Sequence, residues 1–600
     1  MNAYSIFREA DPDGDSRPAF HNEDGVPLYE APYQGLLNHI LSNNDLASLF
    51  LYSDSPTTKV FWGAYEPPNN HPFILASSGG RVEVLKALVG IYLADSTLKE
   101  PIDSYLERIE CSPMNDACAA ANRDLMLWLL NHDPPLGSLH DRVCGDTPLF
   151  SAAQALGDQH DYNGTITARY EKQDQITRTE DFICFLLDLG CSVPNSDHYG
   201  PTYRETASFD LNQSRGEVVS TVLGAVIPHA SYQMVSRLIA EGADVHAHQM
   251  WNTGSESIGW EEKATSLHIA ALHWNLDGIQ ALADNLGDVG IAEMASTPDG
   301  SGRLPLHWAL VGAKDRRVEL FGRDDQEEIT AHITRTVEVL LKVNPDTLVL
   351  RDQGGLTAFD YAVTSETGLA SILPVVKLLL RSSSVPPSVT GSRNHKGAHW
   401  TLLGAMIDHY ARRLGSPSAQ LLELLVLLLE NGADARACNG RSQNLLHTMA
   451  MFRDTDCADI AIIDKLLEFV DVNHVDGNGN TPLHLMVRRL NRINTVRHII
   501  SQGANVNLVD KKGNSPLHET MHGTLVQRVF EDGDVEPIDP AELKSIRVEM
   551  IQVLVDAGAS MDLPNESGQT PLQVLDEMTA IETRRLQNRR GRGRGGRRPN

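Results

Sequence analysis

Residues 515–523 read SPLHETMHG and place His518, Glu519 and His522 in the order H-E-x-x-H. On a helix, histidines four apart share a face and can hold a zinc ion, while the Glu between them can act as general base on a metal-bound water. That chemistry is peptide hydrolysis, and it needs a third ligand and a helix running past the motif on both sides. Glu542 follows His522 by 20 residues, as in one zinc-protease class, but it lies in a loop so rich in acids that some carboxylate would fall at almost any spacing. Pro516 starts the helix just before the motif, and Gly523 stops it just after. The other close histidines, His246 with His248 and His268 with His273, form no set of three or four ligands. No phosphate loop, dinucleotide fingerprint or nucleophile elbow is present, so neither a metal nor a cofactor is expected.

The elements that position these residues emerge from self-comparison. TPLHLMV begins at Thr481 and SPLHETM at Ser515, 34 residues later; weaker copies are TSLHIAA from Thr265, LPLHWAL from Leu304, NLLHTMA from Asn444 and TPLQVLD from Thr570. Each clear copy is followed by a break and a second apolar stretch, which predicts helix, turn, helix and extended loop. Thr481 suits an N-cap and Pro482 the first helical position, where its missing N–H costs nothing. Val496, Ile499 and Ile500 give the second helix an apolar stripe, and Gly503 offers the left-handed conformation that ends it. One such pair cannot bury its own apolar face, so it must stack on neighbours.

These units resemble the ankyrin repeat, whose roughly 33-residue motif carries T-P-L-H-x-A. The resemblance implies an all-α solenoid of stacked helix-turn-helix units with extended loops. Weaker units are recoverable at His71, Ser112, Thr147, Thr221, Thr357 and Thr401. The predicted organisation is an irregular segment over 1–34, a worn N-terminal capping unit over 35–70, about twelve units over 71–580 and a disordered basic tail over 581–600. The repeat motif is assigned to Thr265, His268, His307, His447, Thr481, Pro482, His484, Ser515, His518 and Thr570. His518 is thereby explained by hydrogen bonds within and between repeats, without metal, and Glu519 is left with no structural task. Ile74, Asn115, Phe150, Gly224, Asp360, Gly404 and Gln573 replace the family's His, so their units are expected to be irregular or less stable. Polar insertions at 154–180, 314–330, 381–399 and 523–544 are expected on exposed loops.

Composition bounds the function. The 600 residues are 41% hydrophobic and carry a net charge of -28. The last twenty hold eight Arg against Glu582, so a tail of +7 leaves -35 on residues 1–580. Such a body repels nucleic acid over most of its surface. Seven cysteines without a C-x-x-C pair, no basic start followed by an apolar core, and no apolar run long enough to span a bilayer predict an intracellular protein, cytoplasmic or nuclear, with no membrane contact.

The leading expectation is a non-catalytic protein-interaction scaffold built from repeats, binding other proteins. The alternative is a ribonucleoprotein adaptor using the arginine-glycine tail, where Arg590, Arg592, Arg594, Arg597 and Arg598 could fork onto the phosphates of RNA or be methylated. A zinc peptidase at HETMH comes third. The partner site is expected near residues 250–310, which hold four of the 7 tryptophans. Trp251, Trp260, Leu272, His273 and Trp274 are its candidates, joined by His522 in the Ser515 repeat, whereas Trp308 is expected between helices.

Overall fold

The computed structural model describes residues 36–54, 62, 71–133, 135–140, 146–157, 168–193, 197–199, 218–252, 260–312, 326–365, 369–383, 392–393, 399–411, 418–450, 460–523, 527–529, 535–537 and 540–577, together with short strands at 7–8, 20–21 and 27–30. Helices dominate, and the fold is all-α. Close contacts divide the chain into two units, one ending at Met294 and one beginning at Ala295.

Both units are built on the same local logic, clearest in the Thr481 repeat. The Thr481 hydroxyl accepts from the peptide N–H of His484, Pro482 occupies the first helical position, and the helix Pro482–Met486 follows. The second helix, Ile493–Ser501, buries Thr495, Val496 and Ile499 and ends before Gly503, whose φ is 94°. The extended loop then turns at Asp510, whose Oδ1 accepts from the N–H groups of Lys512 and Asn514, both at 2.8 Å. Successive loop tips are joined by single backbone bonds: Gly477 N–H to Arg441 O, Lys511 N–H to Asn478 O and Glu566 N–H to Lys512 O. Gly513, with φ 75°, is required in this ladder, because a Cβ there would stand 2.6 Å from the Glu566 nitrogen.

Stacking does the rest. In the second unit the first helices Pro305–Val311, Ala358–Val363, Leu402–Ala411, Leu445–Ala450, Pro482–Met486 and Pro516–Met521 pack each on the next. In the first unit the same row runs through Leu36–Ser42, Pro72–Ser78, Pro113–Ala119, Pro148–Gly157, Val222–Val226 and Ser266–Leu272. Leu483, Met486, Val487, Leu490, Leu517 and Met521 are all buried, each large apolar side chain stabilising its repeat by about 1.5–3 kcal/mol.

Several expectations are corrected. The N-terminal segment contains strands: Pro27–Glu30 pairs antiparallel with both Phe7–Arg8 and Phe20–His21. The insertions are shorter than the polar stretches, because helices Ala168–Asp188, Gln326–Val343 and Pro540–Asp556 reach back into them. Glu542 therefore lies in the first turn of a helix and not in a loop. Antiparallel hairpins also form within the long connections, including Gln249–Asn252 with Trp260–Ala264 and Gln527–Val529 with Val535–Pro537.

Candidate partner-binding site

Of the two histidines that suggested metal chemistry, His518 is bound at both ring nitrogens. His518 Nδ1 accepts from the Ser515 N–H at 3.1 Å, and its Nε2 faces the Gln569 carbonyl at 3.0 Å. His484 repeats the arrangement with the Thr481 N–H at 3.1 Å and the Asn514 carbonyl at 3.1 Å, and His447 Nε2 meets the Asn480 carbonyl at 2.9 Å. Each ring thus closes its own first turn and reaches the residue preceding the next N-cap. Burial holds His484 below the ordinary imidazole value, so the ring stays neutral with its Nε2 protonated as donor. Glu519 has a structural task after all: it is buried, its Oε2 accepts from Arg488 Nε at 2.7 Å, and its Oε1 accepts from Asn514 Nδ2 at 3.2 Å. His522 is exposed one turn beyond His518. Among the described residues no three His, Cys, Asp or Glu side chains are placed to hold a metal ion.

The units lacking the family's His keep the cap by other means. Asn115 Nδ2 donates to the Asp146 carbonyl at 3.1 Å, reproducing the inter-repeat bond with an amide. Asp360 Oδ2 accepts from both the N–H and the hydroxyl of Thr357, at 2.8 and 2.9 Å. Gln573 Oε1 takes the Thr570 N–H at 2.9 Å. In the Thr221 repeat, Gly224 leaves room for a side chain from elsewhere: Gln249 Oε1 takes the Thr221 N–H at 3.3 Å. The first described full unit uses His71 itself as N-cap, Nδ1 accepting from Phe73 N–H at 3.3 Å and Nε2 bonding the Tyr105 hydroxyl at 2.7 Å. Burial, with the Arg108 charge nearby, pulls that ring down to about 4.

The tryptophan-rich segment divides by burial. Trp308 is fully buried, its indole N–H donating to Asp299 Oδ2 at 2.9 Å. Trp274 is 6% exposed and sits in the inter-helix turn with φ 53°; Leu272 is 1% exposed. Neither offers a free face, and for Leu272 this corrects the expected outward position. Leu272 lies in the last turn of helix Ser266–Leu272, every residue of which is buried, and that helix packs on Val222–Val226 of the preceding repeat. In the hairpin of Gln249–Asn252 with Trp260–Ala264, Trp251 lies opposite Glu261 and Trp260 opposite Asn252; the Trp260 side chain lies outside the described residues.

Trp251 and His273 do come together, as half-buried rings with centroids 6.0 Å apart and nearly perpendicular. His229, also half-buried, continues the row at 6.1 Å from His273. His229 escaped the sequence reading although its signal was there: it follows Thr221 by eight residues, as His273 follows Thr265. Identical register in adjacent repeats sets the two imidazoles side by side, and the hairpin brings the indole against them. The Trp251 Nε1 is buried without an acceptor among the described residues, so the ring presents its carbon face rather than its N–H to solvent.

The family model for ankyrin repeats, in three copies, matches residues 409–510. The chain carries ankyrin repeats. The matched span contains the Asn444 and Thr481 units and ends just before Ser515. The chain is also similar to the ankyrin repeat protein OPG189 of variola virus, matched in two variola virus sequences at 30% identity over 165 residues. That match covers 27% of this chain and 27% of the viral protein, so the chain spans about a quarter of the length of the relatives it matches. Ankyrin repeats generally mediate binding to other proteins, and the family is generally non-enzymatic. No described helix is long and apolar enough to cross a membrane. The tail arginines Arg590, Arg592, Arg594, Arg597 and Arg598 lie outside the described residues.

Proposed function

We propose that this chain is a non-catalytic scaffold and that one partner protein docks on the ledge formed by His229, Trp251 and His273. The supporting observation is the row of three half-buried rings, which is the kind of rigid aromatic surface that yields binding energy when a partner covers it. An enzymatic reading has no comparable support, since His518 and Glu519 are committed to hydrogen bonds and an ion pair inside the repeat.

The test compares proteins retained by the full chain with those retained by Trp251→Ala and His273→Ala variants. Loss of the same partner from both, by at least about 1 kcal/mol or roughly fivefold in affinity, with the unfolding midpoint unchanged, is the expected outcome. If each substitution lowers the midpoint and leaves retention intact, the rings are core and the ledge is not an interface.

A further inference from the structure

Between Gly477 and Val509 the chain contains no Asp or Glu but four Arg: Arg488, Arg489, Arg492 and Arg497. In a protein of net charge -28, a stretch of this length free of acids is a strong local reversal. The structure separates the four by task. Arg492 is fully buried, and its Nη1 donates to the Met449 and Ala450 carbonyls at 3.1 and 2.9 Å, closing the end of the preceding first helix. Arg497 pairs with Glu549 on the second helices at 3.1 Å. Arg488 and Arg489 remain, both half-exposed at the turn that follows helix Pro482–Met486.

Arg488 is spoken for only in part. Its Nε binds Glu519, and its side chain is still 42% exposed while that of Glu519 is 5% exposed, so the pair leaves part of Arg488 open to solvent. Arg489 has no ion pair or side-chain hydrogen bond among the described residues. His522 occupies in the Ser515 repeat the position Arg488 occupies in the Thr481 repeat, seven residues past the N-cap. Stacked first helices lie about 10 Å apart, so the two basic side chains are neighbours. Arg547, from the next second helix, reaches the same turn: its Nη2 donates to the Gly523 carbonyl at 3.0 Å, and its buried Nε has no acceptor among the described residues.

We propose that the face carrying Arg488, Arg489, His522 and Arg547 docks an acidic segment of a partner protein. Carboxylates supply acceptors for the outward guanidinium nitrogens of Arg488 and Arg489, with Arg547 and His522 beside them, and the surrounding acidic body discriminates by sign, admitting a short anionic stretch only here. A nucleic acid would carry its phosphates on past these few side chains and over repelling surface. This face lies in the second unit, apart in sequence from the ring ledge of the first, and stands or falls independently of it.

The experiment titrates the full chain into a fluorescein-labelled ten-residue peptide of alternating Glu and Gly at low salt and follows anisotropy. Saturable binding is expected, weakened about tenfold by Arg489→Glu and largely retained by Arg489→Lys, with unchanged unfolding midpoints and no response to Trp251→Ala. A Lys-Gly peptide should not bind. The proposal is overturned if the acidic peptide does not bind, or if Arg489→Glu leaves its affinity unchanged. A ten-nucleotide single-stranded RNA bound as tightly, with the same Arg489 dependence, would also overturn it. So would peptide binding that appears only after Glu531, Asp532 and Asp534 are changed to Ser, for the face would then belong to the chain's own acidic stretch.

Discussion

In the Thr481 repeat the group that closes the first turn belongs to that turn; in the Thr221 repeat it arrives from a strand 28 residues later. His484 is part of its helix, reaches forward to Asn514, and ties the repeat to the next through one rigid ring. Gln249 enters an empty volume above Gly224 and takes the same backbone N–H with a longer, more flexible side chain. What the repeat requires is an acceptor in that volume. The residue type and even its origin are negotiable. The difference should show in how each cap fails.

Deleting the ring has the largest expected effect. His484→Ala strands the Thr481 N–H and the Asn514 carbonyl, both buried, and should cost about 2–4 kcal/mol in chemical denaturation. A loss below about 1 kcal/mol would show that water or a neighbour replaces the ring as easily as Gln249 does at Thr221.

Restoring the family residue to the other repeat should hurt before it helps. A Cβ at Gly224 would fall on the Gln249 amide, so Gly224→His alone should destabilise by about 1–3 kcal/mol through overpacking. Combined with Gln249→Gly, which empties the volume, the same substitution should recover most of that loss, and a double-mutant cycle measures the coupling. Additive effects would separate the two positions and end the comparison.

The smallest effect distinguishes an anionic cap from a neutral one. Burial raises Asp360 to about 6, against only partial compensation from Thr357 and Arg351, with Asp352 adding to the rise. A folded value above the unfolded one means that its contribution is fully present below about pH 4 and is lost as pH rises through about 6. Asp360→Asn keeps an oxygen for Thr357 and removes the buried charge, so it should stabilise by about 1–2 kcal/mol at pH 7.5 and by nothing near pH 4. Equal stability of the two proteins at pH 7.5 would show that Asp360 is well solvated there.

How much of this was legible follows from what each feature depends on. The caps, the first-helix starts and the stacking of Thr265, Leu304, Asn444, Thr481, Ser515 and Thr570 rest on short-range patterns, and those were readable. The substitute in the Thr221 repeat was not, because Gln249 acts across a connection of variable length and no local pattern pairs it with Thr221. Glu519 was misread for the same reason: its partner Arg488 lies 31 residues away on the neighbouring repeat. The ledge was half legible. Tryptophan enrichment pointed to the segment, but the hairpin that carries Trp251 against His273 depends on a strand pairing with a register shift between Gln249 and Trp251. His229 needed only the repeat register, applied one unit earlier.

The ladder of loop tips has a mechanical consequence. Gly477, Lys511 and Glu566 each hold the preceding tip by one backbone bond, and side chains such as Asn473, Asn507 and Lys511 add a few more, so the rim is sewn by a handful of polar stitches per repeat while the helices carry the bulk of the cohesion. Under tension such a seam yields repeat by repeat, the Thr481 repeat paying out its 34 residues, or about 110–120 Å of slack. Residues 433–577 would then behave as a soft spring with a stepped response, extending in quanta instead of tearing as one body.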